Sequence, residues 1–168
     1  FQFEKQNLYH SKQLNTDFED MKYVLLRSQW SGTACFVRPA QIEDAVALAK
    51  ILCDSWQAAY KDILTPEELE RNTNLEARTT MFERLQKSGV GNTLIAFVNG
   101  NPCGMASFGK SRDVDLTDYA EIVAIYVLKE YWGKNVGNRL MEVALSELKR
   151  QGYKGILLWT FEANAQVL

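Results

Sequence analysis

The stretch from Tyr119 to Phe161 restricts the fold more than any other part of this 168-residue chain. YAEIVAIYVL holds an unbroken apolar run from Ile122 to Leu128 and reads as a buried strand. A short turn, KEYWGKNVG, leads straight into a segment with Val136, Leu140, Val143, Ala144 and Leu148 at helical spacing, ending near Gly152. GILLWTF then reads as another strand. Strand, turn, helix and strand in that order make a right-handed parallel crossover, so the chain must build a sheet with a helix packed over it.

The turn itself is unusual. Helix starts attract Asp or Glu, because exposed N–H groups and the macrodipole favour negative charge there. Here the first turn carries no acid. Gly133 and Gly137 allow a ligand close to the main chain, Asn135 tolerates positive φ, and Lys134 and Arg139 add positive charge. Such a turn gathers amides into an anion nest, and a phosphate is the expected occupant. A glycine placed only for packing is the alternative. The spacing is neither a Walker A sequence nor a GxGxxG fingerprint, so ATP and dinucleotides are not favoured.

Upstream, ACFVRPA reads as a short strand ended by Pro39. Ile42, Ala45, Val46, Ala49, Leu52, Cys53 and Trp56 mark an amphipathic helix from Gln41. TPEE (65–68) has the form of a capping box with Pro at N1. A third helix carries Leu75, Thr79, Phe82 and Leu85 and stops at Gly89. NTLIAFV and PCGMASF flank Asn-Gly, a strong hairpin signal. The order implies a single α/β (α+β) domain with a mixed central sheet flanked by helices.

A net charge of −2 argues against nucleic acid or an anionic membrane as partner, and no apolar run is long enough to span a bilayer. Three cysteines (Cys35, Cys53, Cys103) without metal-ligand spacing read as reduced, hence a cytoplasmic protein, and the one histidine, His10, reads as a surface residue. No metal site is expected.

EIVAIYVLKEYWGKNVGNRLMEVAL resembles the acetyl-CoA-binding motif of the GNAT (Gcn5-related) N-acetyltransferases. The family turn reads Gln/Arg-x-x-Gly-x-Gly/Ala; here Trp132 stands for the Gln/Arg, Asn135 for the first glycine, and Gly137 matches the second. The likeness extends over FVRPAQIEDAVALAKIL, SWQAAYKDILTPEEL, the central hairpin and LLWTFEANAQVL. It implies a GNAT-like acyl-CoA N-acyltransferase fold, acetyl-CoA as co-substrate, and transfer to a primary amine of a small molecule or peptide. It further implies that Trp132, Gly133, Lys134, Asn135, Val136, Gly137 and Asn138 surround the pyrophosphate. The N–H of Val127 would meet the thioester carbonyl, and Asn164 would contact the cofactor arm, with a helix N-cap as its alternative role. Glu121 matches the glutamate that takes the proton in several members. An amine of pKa near 10 is only about one part in a thousand neutral at pH 7, so a base is wanted. Burial beside Ile122 and Val123 favours proton uptake by a carboxylate; a solvated strand-end carboxylate is the alternative. Trp56 and Tyr60, one helical turn apart, are candidates for the acceptor pocket, against plain core packing for Trp56. Without a histidine to activate a cysteine, direct attack in a ternary complex is preferred. A non-catalytic CoA-binding or interaction domain and a protein-lysine acetyltransferase are the competing functions. A homodimer is one admitted oligomeric state.

Family chains close with two strands after the region of Asn164. Here residues 1–30 resemble those closing strands, QFEKQNLYH the sixth and FEDMKYVLLR the seventh, with 31–34 as linker and 35–168 as the remainder. The expectation is a circular permutant, joined through about seven residues at ~3.5 Å each; a reordered chain or an unrelated extension are the alternatives. The usual general-acid tyrosine falls in the absent stretch.

Overall fold

Turn chemistry and helix caps set most element boundaries. The computed structural model describes residues 11–17, 34–90 and 92–161. The elements are β1 (Ser11–Asp17), β2 (Cys35–Pro39), α1 (Ala45–Tyr60), α2 (Pro66–Asn72), α3 (Leu75–Ser88), β3 (Asn92–Val98), β4 (Asn101–Lys110), β5 (Tyr119–Val127), α4 (Val136–Arg150) and β6 (Gly155–Phe161). Asn99 and Gly100 both take positive φ, as a tight hairpin requires. Thr65 and Glu68 complete the capping box at α2, and Gly89 ends α3 at φ 62°.

The helix expected from Gln41 starts later. Ile42–Asp44 form a 3-10 turn, because the Asp44 carboxylate folds back onto the Gln41 N–H at 2.7 Å and accepts both Arg38 Nη atoms at 2.6 and 2.9 Å. Ile42 and Val46 are left exposed rather than buried.

Among the described residues six strands form one sheet, in the order β1-β6-β5-β4-β3-β2. Of the strand pairs described there, β5 and β6 run parallel and the others are antiparallel. α4 covers one face through Val136, Leu140, Ala144 and Leu148, while α1 and Phe82 of α3 cover the other with Ile95 and Met105. On β5 a bulge at Val123 breaks the register, since Ser107 faces Ala124 and Phe108 faces Ile122.

The strand beside β6 is SKQLNTD, all seven of its residues paired antiparallel with Phe161 to Gly155. The expected strand over 2–10 and its successor over 18–27 lie outside the described residues. SKQLNTD has no apolar alternation, so its strand form follows from pairing with β6 rather than from its own pattern.

α4 approaches β4 at Gly104, where a Cβ would meet Leu140 Cδ1 at 3.0 Å, the Tyr126 carbonyl oxygen at 3.1 Å and Val136 Cγ1 at 3.1 Å. Gly104→Ala is expected to cost about 1–3 kcal/mol through overpacking. A lowered urea midpoint at unchanged m-value checks this; an unchanged midpoint refutes it.

Candidate active site

β5 and β6 are partners only over part of their length. The register runs from Tyr119 opposite Gly155 to Ile122 opposite Leu158 and stops, although β5 continues to Val127 and β6 to Phe161. Beyond that point the two strands diverge. β5 stays bonded to β4, ending with the Leu128 N–H donating to the Cys103 carbonyl at 2.9 Å. The alternation of a pleated strand therefore turns the N–H and C=O of Val127 the other way, toward the divergent edge. Its carbonyl accepts the indole Nε1–H of Trp132 at 2.8 Å. That bond ties the turn to the end of β5.

The turn between β5 and α4 sits at the mouth of this divergence. After the 3-10 turn Lys129–Tyr131, Gly133 takes φ 70° and Asn135 takes φ 64° as N-cap of α4. The Asn135 side chain does not cap the helix; its Oδ1 accepts from Asn138 Nδ2 at 2.8 Å. The first intrahelical bond is Arg139 N–H to the Asn135 carbonyl at 3.1 Å. The amides of Val136, Gly137 and Asn138 precede it and have no intrahelical acceptor. Among the described residues no protein atom is shown accepting from them, and the first turn has no acid. The Val136 side chain is itself buried under the helix, so only its main chain faces the nest. Lys134 Nζ lies 5.1 Å from the centre of the Tyr131 ring. Arg139 pairs with Glu142 one turn along the helix, at 3.0 Å.

Glu121 is buried, with 1% of its surface exposed. It is not a solvated carboxylate, and its surroundings are not purely apolar. Arg112, in the loop between β4 and β5, donates from its backbone N–H to Oε2 at 3.1 Å and from Nε to both oxygens at 3.1 and 3.0 Å. Its Nη2 also donates to Oε1. The bond to the Glu121 carboxylate pushes the Arg112 guanidinium further up from its ordinary value.

Trp56 is a core residue first, 3% exposed among Leu48, Leu52 and Met105. Its ring meets Tyr60 edge-on at 5.1 Å and Tyr126 at 6.5 Å. Burial pushes the Tyr126 phenol up from its ordinary value. Sequence reasoning missed both Tyr126 and Arg112. Tyr126 lay inside an apolar run that signalled only burial, and Arg112 lay in a polar loop without a motif. The structure thus gathers Val127, Trp132 and residues 133–138 at one end of β5 and sets Glu121 six residues back from Val127 along the strand. Trp56, Tyr60 and Tyr126 form a separate aromatic group. Asn164 and His10 lie outside the described residues.

Two surface cavities lie elsewhere: about 460 Å³ beside Gln57, Leu69 and Thr73, and about 630 Å³ between Thr93, Phe108 and Glu142. Neither touches the nest or Glu121. Among the described residues no helix is long and apolar enough to cross a membrane.

A family model described as "Acetyltransferase (GNAT) family" matches residues 45–168. The chain is 28% identical over 132 residues to the uncharacterized N-acetyltransferase YuaI of Bacillus subtilis (strain 168), covering 79% of this chain and 75% of that protein. Among solved structures, the PaiA N-acetyltransferase of Thermoplasma acidophilum in complex with coenzyme A is similar at TM-score 0.66 and 22% identity, over 80% of this chain and 84% of that one. A GCN5-related N-acetyltransferase from Rhodopseudomonas palustris is similar at TM-score 0.59 and 27% identity, over 75% and 71%.

Proposed function

The chain belongs to the acetyltransferase (GNAT) family and is an N-acetyltransferase, and we propose that it moves the acetyl group of acetyl-CoA directly onto a primary amine of a small molecule or peptide. The observation that carries this reading is the uncapped helix start beside a divergent strand pair. The amides of residues 136–138 fit a diphosphate, and the Val127 N–H at the open edge fits the carbonyl of a thioester. The PaiA N-acetyltransferase, similar in fold, is in complex with coenzyme A, which supports coenzyme A as the kind of ligand. Acetyl-CoA supplies an activated acyl group. Glu121 accepts the proton that the amine loses, directly or through water, as the N–C bond forms and the C–S bond breaks; coenzyme A leaves as its thiolate and takes a proton from water.

Transfer through a cysteine is disfavoured, because burial pushes Cys103 up to about 11 and raises Cys35 and Cys53 as well. Trp56 and Tyr60 are proposed as one wall of the acceptor pocket, with Tyr126 beside them. β1 in the antiparallel place beside β6 supports a permuted strand order.

The full engagement of Glu121 by Arg112 favours a second reading, a CoA-binding domain without turnover. Free thiol release from acetyl-CoA, measured with a panel of small amines and lysine peptides, separates them. Release that requires an amine supports the enzyme, and peptide-only release narrows it to protein lysines. A thermal shift with CoA and no release with any amine selects the binding domain. No shift and no release overturns both.

A further inference from the structure

We infer that Arg112 is a positioning residue, whose guanidinium fork holds the Glu121 carboxylate in the orientation from which it takes the amine proton. This rests on the assignment of Glu121 as base.

The loop that carries Arg112 is braced on itself. The Ser111 N–H donates to the Tyr119 carbonyl at 3.2 Å, the Asp113 N–H to Ser111 Oγ at 3.0 Å, and the Asp115 N–H to Asp113 Oδ1 at 3.0 Å. At its far end the Lys154 N–H donates to the Asp118 carbonyl at 3.0 Å, while Lys154 Nζ reaches the Asp118 carboxylate at 2.6 Å. Arg112 is therefore delivered to Glu121 twice, by its main chain and by its side chain. Its three N–H donors make four contacts with the carboxylate, two on each oxygen, so both ends of the group are held. The strand neighbours of Glu121 supply no competing charge: β4 places Gly109 opposite and β6 places Leu157. The pair also spans the boundary of the core, since the Arg112 side chain is 40% exposed and the Glu121 side chain 1%. A base with several rotamers, held by a planar fork, is fixed to within the tolerance that proton transfer demands.

A double-mutant cycle on thiol release tests this. Arg112→Gln is expected to lower kcat by about tenfold or more, with KM for acetyl-CoA within about twofold of wild type. Arg112→Lys, which keeps the charge but not the fork, should recover part of that loss. In the Glu121→Gln background Arg112→Gln should cause no further fall. An equal fractional fall in both backgrounds, or none in wild type, overturns the inference while leaving the base assignment standing. If Glu121→Gln alone leaves kcat unchanged, both fall together. Should Arg112→Gln fail to fold, Arg112→Lys in the two backgrounds carries the same comparison.

Discussion

Gly137→Glu is expected to weaken CoA binding by about 100-fold or more while leaving the fold intact. A Cβ at this position would meet only Val127 Cγ2, at 3.8 Å, so the protein alone has room for a side chain. A carboxylate in the first turn of α4 also suits the macrodipole, by about 0.3–1 kcal/mol. What it removes is the place for a second anion. Two charge-assisted hydrogen bonds lost at about 1.5–3 kcal/mol each already exceed the ~2.7 kcal/mol that a hundredfold represents. Calorimetry with CoA, alongside a melting curve, reads both effects. A variant that melts at or above the wild-type temperature and still binds CoA normally would show that the diphosphate sits elsewhere.

Replacing Glu121 by Gln is expected to lower kcat by about 10²–10⁴-fold with CoA binding unchanged. Glutamine keeps the shape and can still accept a hydrogen bond from Arg112, but it cannot take a proton from the amine. The contrast with the previous variant is the useful part: one substitution should abolish binding, the other turnover. Thiol release under saturating acetyl-CoA, with a CoA titration in parallel, measures the two separately. A kcat within about threefold of wild type would remove Glu121 from the reaction.

The features that could be read in advance are those coded locally. Asn99-Gly100, the Thr65–Glu68 capping box and Gly89 each specify one backbone conformation through their own side chain or its absence. The left-handed Asn135 and the acid-free helix start belong to the same class, so the backbone of that turn could be read as well. What escaped depends on partners distant in sequence. SKQLNTD becomes a strand because β6 offers it an edge, and nothing in its own pattern announces that. Glu121 meets Arg112 only because the loop between β4 and β5 folds back nine positions. The 3-10 start ahead of α1 depends on Arg38 pulling on Asp44 from the neighbouring strand.

The irregularity at Val123 has a consequence of parity. Glu121 and Tyr126 are an odd number of positions apart, and a regular pleat would send them to opposite sides of the sheet. Ala120 and Ile122 pack beneath α4, as do Ile125 and Val127, whereas Tyr126 packs with α1. One extra residue thus reconciles two stretches that would otherwise be out of phase, and lets the carboxylate and the phenol share a side. Excising a single residue there would invert one stretch relative to the other, driving either a charge into the apolar layer under α4 or the ring of Tyr126 away from Trp56.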